Sequence, residues 1–100
     1  MIMNSLHIIA KAPTSASIAE LNAVIHEGDV LIFIEDGVYF ARTEFSPSPS
    51  SAPRFRHLEC YFLKEDLAAR GIEVIEGMQN VDTRGFVALS ARLPRSVSWY

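Results

Sequence analysis

The most apolar stretch of the chain is a short run between polar boundaries. Residues 30–34 are Val, Leu, Ile, Phe and Ile, preceded by Asp29 and followed by Glu35-Asp36-Gly37. Three of these five residues are β-branched and one is aromatic, a composition typical of strands. Because the run is short and does not alternate with polar residues, it predicts a strand covered on both faces. We therefore expect a central strand of an α/β sheet that carries polar residues at its carboxyl end.

A strand and a helix are predicted before this run. Residues 6–10 form a short apolar strand that ends before Pro13. Ser17 and Glu20 have the spacing of a capping box, with the serine as N-cap, and Gly28 is the expected left-handed C-cap. The apolar side of this helix holds Ile18, Leu21, Val24 and Ile25. Strand, helix and strand make a βαβ unit with a right-handed crossover.

The second half of the chain alternates in the same way. Residues 38–42 follow an Asp-Gly pair, so either a returning strand or a short helix fits them. Residues 44–55 hold three prolines and four serines, which predicts a surface loop. We then expect strands at residues 57–63, 72–75 and 96–100, a helix at 64–71, and a last helix capped by Asp82-Thr83 and stopped by Pro94. The expected buried side of the last helix is Phe86, Val87, Leu89, Ser90 and Leu93.

This order of elements predicts one architecture. Strands that alternate with helices favour a three-layer α/β/α fold, with a mostly parallel sheet of about five strands. A chain of 100 residues is expected to form a single domain over residues 1–100.

Composition narrows the function classes. The net charge is −3 and the pI is about 5.5, so the chain lacks the basic footprint of a protein that binds nucleic acid directly. One cysteine excludes a disulfide framework and suits a reducing compartment. No run of about 18 apolar residues predicts a membrane span, and residues 1–12 lack the pattern of a signal peptide. We expect a cytoplasmic protein.

Candidate chemistry in such sheets lies beyond the carboxyl ends of the strands. Here that edge is lined by residues 11–15, 35–37 and 64–66. The first of these segments contains no glycine after Lys11, which argues against a phosphate-binding loop. Glu35 and Asp36 are sequence neighbours whose side chains diverge, so a solvated turn is favoured over an acid–base pair.

Cys60 is the one candidate nucleophile. It lies in the middle of a predicted strand beside Tyr61 and Phe62, where no cationic neighbour is indicated. A reactive thiol requires exposure and a positive environment, so a buried structural cysteine is favoured. A sulfur-carrying Cys60 is the alternative.

The remaining candidates carry no catalytic pattern. His7, His26 and His57 are not spaced as metal ligands and the sequence implies no partner for any of them, so we expect neither a metal nor a cofactor. Trp99 and Tyr100 fit either the chain's own core or a subunit interface. The candidate interface residues are Asp36, Gly37, Trp99 and Tyr100.

The order of these short motifs resembles one family. The segments that carry the resemblance extend over nearly the whole chain: Leu6-His7, Glu27-Gly28-Asp29, Glu35-Asp36-Gly37-Val38, residues 64–71, Val81-Asp82, Gly85-Phe86-Val87, Leu89 and Trp99. Their sequence and spacing resemble the TusB/DsrH family. No single motif is specific to this family by itself, but the order of all of them in so short a chain is specific.

This resemblance implies a DsrE/DsrF/DsrH-like fold and a place in a complex. TusB-like proteins join TusC-like and TusD-like paralogues in a heterohexamer that relays persulfide sulfur toward 2-thiouridine at the tRNA wobble position. The carrier cysteine belongs to the TusD-like subunit, so the TusB-like member is structural or regulatory. DsrH-type members carry a cysteine in the first helix, and residues 15–27 contain none, which favours the TusB branch.

Three hypotheses follow for function. The leading one is a non-catalytic subunit of a sulfur-relay complex. The second makes Cys60 itself a persulfide carrier. The third is a self-associating α/β module, a homo-oligomer without sulfur chemistry.

Overall fold

The apolar run at residues 30–34 is the centre of the sheet. The computed structural model describes residues 4–42, 59–73 and 79–100. Five strands lie in the order β4-β3-β2-β1-β5, and every pair is parallel. The strands are β1 Ser5–Ile9, β2 Val30–Phe33, β3 Glu59–Leu63, β4 Asn80–Val81 and β5 Arg95–Trp99. All four residues of β2 are buried, as its uninterrupted apolar sequence predicts.

Helices cover both faces of the sheet. They are α1 Ser15–Val24, a 3₁₀ helix Glu35–Ala41, α2 Lys64–Ala69 and α3 Thr83–Arg92. On one face, the sheet residues Ile9, Leu31 and Phe33 pack against residues of α1 and the 3₁₀ helix. These are Leu21 of α1, Ile25 just after it and Phe40 of the 3₁₀ helix. On the other face, Leu6, Val30 and Ile32 pack against Leu89 of α3. The three-layer α/β prediction is therefore confirmed.

The start of α1 differs from the predicted capping box. Thr14 is the N-cap: its side chain accepts from the Ser17 N–H at 3.0 Å, and the Ser17 hydroxyl accepts from the Thr14 N–H at 2.8 Å. Ser17 thus occupies the third helical position rather than the cap, because serine can serve either role. Glu20 forms an ion pair with Lys11 at 3.7 Å instead.

The end of α1 was also predicted too late. The helix ends at Val24, and extended backbone at Ile25 carries that side chain into the core. Gly28 does have a positive φ of 93°, but it lies in the turn that leads to β2. Val24 is 40% exposed, so its predicted place on the buried side of α1 is wrong.

The segment at residues 38–42, which the sequence left open, is helical up to Ala41. Its 3₁₀ turns begin at Glu35, which has a positive φ of 48°. Gly37 packs directly on the Ile9 carbonyl, which holds the helix against the end of β1.

The fourth strand is the clearest departure from the predicted elements. Of the strand predicted at residues 72–75, residues 72–73 belong to no strand and residues 74–75 lie outside the described residues. The predicted loop at 44–55 and residues 57–58 of the predicted third strand also lie outside them. The fourth strand is instead β4, a two-residue segment that pairs with Phe62 and Leu63. Two residues carry no periodicity, so no pattern could predict β4.

The last helix begins as predicted but buries a narrower side. Asp82 is its N-cap and accepts from the Gly85 N–H at 2.9 Å. Leu89 is buried, and Phe86 and Leu93 pack beside it. Val87 and Ser90 are exposed, contrary to the prediction, because the i, i+3, i+7 spacing of Phe86, Leu89 and Leu93 defines a stripe that excludes them.

Candidate functional site

A buried polar chain crosses one face of the sheet. Asp29, just before β2, lies 2.9 Å from Nε2 of His7 in β1, measured from its Oδ2 atom. The indole Nε1–H of Trp99, at the end of β5, donates to the His7 Nδ1 at 3.2 Å. The carboxyl of Asp29 also accepts the Ser5 N–H at 2.9 Å and the His26 N–H at 3.0 Å. The buried polar chain thus connects β1, β5 and the turn after α1 through hydrogen bonds.

Asp29 is held in its ionised form. Burial opposes the negative charge, since Asp29 is only 4% exposed. The hydrogen bonds from the His26 and Ser5 N–H groups and from His7 outweigh that penalty, so the pKa of Asp29 lies below its ordinary value. The buried Asp29 carboxylate stabilises the fold only while the groups that donate hydrogen bonds to it remain in position.

The hydrogen bonds also assign the tautomer of His7. An indole nitrogen donates and cannot accept, so the His7 Nδ1 atom must carry a lone pair toward Trp99. Nε2 therefore carries the proton and donates it to Asp29. The sequence implied no partner for His7, and the structure supplies two, Asp29 and Trp99. Asp29 was not identified as a site residue, although a polar residue directly before a buried strand and a histidine inside an apolar one were both visible signals.

Of the other histidines, His26 joins the buried polar chain only through its backbone. It follows α1 and donates its N–H to Asp29. His57 lies outside the described residues.

At the carboxyl edge of the sheet, two of the predicted polar segments meet. The Asp66 carboxylate accepts the Glu35 N–H at 2.7 Å. Arg70 lies 3.1 Å from Asp36 and 3.6 Å from Asp66. Glu65 accepts from both the N–H and the hydroxyl of Thr83. These carboxylates are therefore occupied in joining the 3₁₀ helix, α2 and α3.

The four candidate interface residues differ widely in exposure. The Asp36 side chain is 61% exposed and Tyr100 is 80% exposed. Trp99 is partly buried, packs against the core and donates to His7. Gly37 is buried, so a partner would contact the residues around Gly37 rather than Gly37 itself.

Cys60 is partly buried in β3, on the same face of the sheet as Leu21 of α1. It packs against the cluster that includes Leu31 and Phe33. Burial, and then the nearby charge of Glu59, raises the pKa of the Cys60 thiol to about 12. A thiol with this pKa is almost wholly protonated at neutral pH, and the protonated form is a poor nucleophile.

Glu59 and Tyr61 lie on the opposite face of β3 from Cys60. The Tyr61 hydroxyl donates to the Glu59 carboxylate at 2.6 Å, and Arg92 of α3 donates to the same oxygen at 2.7 Å. These hydrogen bonds lower the pKa of Glu59, the one from Tyr61 contributing most. The group fastens α3 to the sheet.

The described part of the chain shows neither a cluster of metal ligands nor a membrane-spanning helix. Across residues 4–42, 59–73 and 79–100, no three His, Cys, Asp or Glu side chains converge as metal ligands would. Within the same ranges, none of the helices has the length and apolar character needed to cross a membrane.

These features define a small three-layer α/β fold with an all-parallel sheet and a buried polar chain that extends from the start of β2 across β1 to the edge strand β5. The chain belongs to the DsrH-like family: the family model described as "DsrH like protein" matches residues 11–96. Proteins named Protein TusB from Salmonella dublin, Salmonella gallinarum and Escherichia coli K12 are each 31% identical to it over 98 residues. Each alignment covers 94% of this chain and 99% of the relative. The resemblance found from the sequence motifs is therefore confirmed.

Proposed function

We propose that this protein is a non-catalytic subunit of a sulfur-relay complex that supports 2-thiouridine formation at the tRNA wobble position. Similarity to Protein TusB over 94% of the chain carries the proposal. As one domain, it joins TusC-like and TusD-like paralogues in a heterohexamer and works in the cytoplasm, where a chain with a single cysteine is expected.

The setting of Cys60 supports a structural rather than a sulfur-carrying role. A persulfide carrier must present a thiolate to its donor. The pKa of Cys60, about 12 compared with an ordinary 9.0, lowers the thiolate fraction about a thousandfold at neutral pH. Its side chain also faces the core cluster around Leu31.

Sulfur transfer by the reconstituted complex tests this role. Cys60→Ser should leave transfer intact, whereas replacing the carrier cysteine of the TusD-like subunit should abolish it. The assay measures sulfur on the carrier protein by intact mass after incubation with a cysteine desulfurase and cysteine. Loss of transfer by a Cys60→Ser complex that assembles normally would make Cys60 the carrier.

Assembly is tested separately by native mass. This chain should form one stable species when co-expressed with TusC-like and TusD-like proteins. A homo-oligomer that ignores both paralogues would remove the sulfur-relay proposal and leave the self-associating module.

The partner surface is the end of the chain together with the carboxyl edge of the sheet. Tyr100 is the most exposed large side chain there, and Asp36 lies on the 3₁₀ helix. We expect Tyr100→Ala to weaken co-purification of the paralogues. Val87→Ala is the matched control, since Val87 is 63% exposed on the outer side of α3. If Val87→Ala weakens assembly and Tyr100→Ala does not, the interface lies on α3.

A further inference from the structure

The strand β5 is an edge strand with one inward anchor. It pairs with β1 on one side, and β1 is its only neighbour in the described sheet. Its first four residues are exposed, whereas Trp99 packs against the core. The Trp99 carbonyl accepts the Ala10 N–H at 2.8 Å. Its indole adds the hydrogen bond to His7, with ring centroids 6.2 Å apart.

His7 is placed between two neighbours with different requirements. The carboxylate of Asp29 accepts from Nε2, which carries a proton both in this neutral tautomer and in the imidazolium. Trp99 requires the neutral ring, because its N–H needs a lone pair on Nδ1. A proton on Nδ1 would turn that atom into a second donor and remove the hydrogen bond. The ring can therefore satisfy both neighbours only while it is neutral.

The other charged groups around His7 do not contact it. Leu31 separates it from Cys60 on β3, and Arg95 on β5 is exposed. On α1, Glu20 pairs with Lys11. The buried residues that face the sheet from α1 and the 3₁₀ helix are apolar apart from Ser17. His26, which follows α1, contributes only a backbone N–H to Asp29. Asp29 is thus the one charged group in contact with His7 among the described residues.

We propose that Asp29, His7 and Trp99 form a proton-controlled latch on the C-terminal edge strand. With His7 neutral, the Trp99 indole is fastened to the core side of the sheet. Uptake of one proton at Nδ1 breaks the Trp99 hydrogen bond while the contact with Asp29 strengthens. The indole is then released and β5 loses its inward anchor, so the end of the chain becomes mobile without unfolding of the sheet.

Trp99 is itself the probe, because it is the only tryptophan in the chain. Its fluorescence is followed in the full-length protein across roughly pH 8 to 5, the range in which histidine side chains commonly change charge. We expect the emission maximum to move to longer wavelength and acrylamide quenching to increase in one single-proton transition. His7→Gln should lose that transition, whereas His26→Gln and His57→Gln should keep it. Far-UV circular dichroism should stay constant throughout.

Several results would overturn the latch. One is an emission maximum that stays constant over this range in the folded protein, and another is the same transition in His7→Gln. A far-UV signal lost together with the emission change would mean that proton uptake unfolds the whole domain. If His7→Gln fails to fold, the NMR chemical shifts of the ring carbons and nitrogens of His7 in the unaltered protein test the latch instead. The Nε2–H tautomer at pH 8 and an imidazolium at pH 5 are required, and any other pair of states refutes the latch.

Discussion

Gly37 offers the sharpest test of how the 3₁₀ helix is held on the sheet. A Cβ atom added at this position would overlap the Ile9 carbonyl oxygen and lie 2.9 Å from the carbonyl carbon. That carbonyl belongs to the backbone of β1 and accepts the Ile34 N–H at 2.9 Å. The Gly37 N–H in turn donates to the Ile34 carbonyl at 2.8 Å. Neither side of the contact can move without loss of one of these hydrogen bonds.

The expected cost of Gly37→Ala follows from this geometry. Overpacking in a well-packed core typically costs 1–3 kcal/mol, and the atoms here are backbone rather than a flexible side chain, so we expect about 3 kcal/mol of unfolding free energy. For a chain of this size, that corresponds to a Tm lowered by about 12 to 24 °C. Gly71→Ala is the matched control. Gly71 has a φ of 65° with no atom within 4 Å, so only the left-handed backbone is penalised, by about 1 kcal/mol.

Urea unfolding followed by far-UV circular dichroism measures both variants. The midpoint should fall much further for Gly37→Ala than for Gly71→Ala, with the m-value unchanged. If Gly37→Ala lies within about 0.5 kcal/mol of the unaltered protein, the close approach does not constrain the fold. Equal losses in the two variants would show that glycine's conformational freedom, and not the Ile9 contact, explains both positions.

Two further predictions concern the buried polar chain and α3. Asp29→Asn should lower the free energy of unfolding by about 1–3 kcal/mol, because an amide leaves one of the donors around it unsatisfied. The pKa of Asp29 is depressed in the fold, so its contribution is present above about pH 3.8 and is lost as the pH falls below that value. Urea titrations in that acid range should therefore have a shallower pH dependence in Asp29→Asn, and an unchanged slope would contradict the assignment. On α3, Leu89→Ala should cost about 2–5 kcal/mol, whereas Val87→Ala should change stability by less than about 0.5 kcal/mol. Comparable losses in thermal unfolding would mean that the buried side of α3 is misplaced.

Long apolar runs and helix signals were enough to predict most of the fold. The sequence of residues 30–34 predicted a strand buried on both faces, because a short β-branched run without polar positions is typical of a strand inside a covered parallel sheet. Asp82 predicted the start of α3, because a short acidic side chain before an apolar stripe is a helix cap. These signals are local, and the family motifs added the identification that no single one of them carried.

Tertiary structure decided what local signals could not. The two residues of β4 are a strand only because the backbone of β3 lies beside them. Ser17 fits a capping box either as the N-cap or as the third helical residue, and in the folded chain Thr14 is the cap. The approach of Gly37 to Ile9 joins elements that are 28 residues apart in the chain.

The buried polar chain depended most on the fold. Asp29, His7 and Trp99 are separated by up to 92 residues, and no spacing in the sequence relates them. Parallel pairing of β5 with β1 places Trp99 beside Ile9, two residues beyond the pair formed by His7 and Val97 and on the same face of the sheet as His7. The turn after α1 brings Asp29 to the other ring nitrogen. The sequence determined that each residue is present. The order of the strands determined that they meet, because a hydrogen bond in a protein interior forms only between groups that the backbone has already brought within reach.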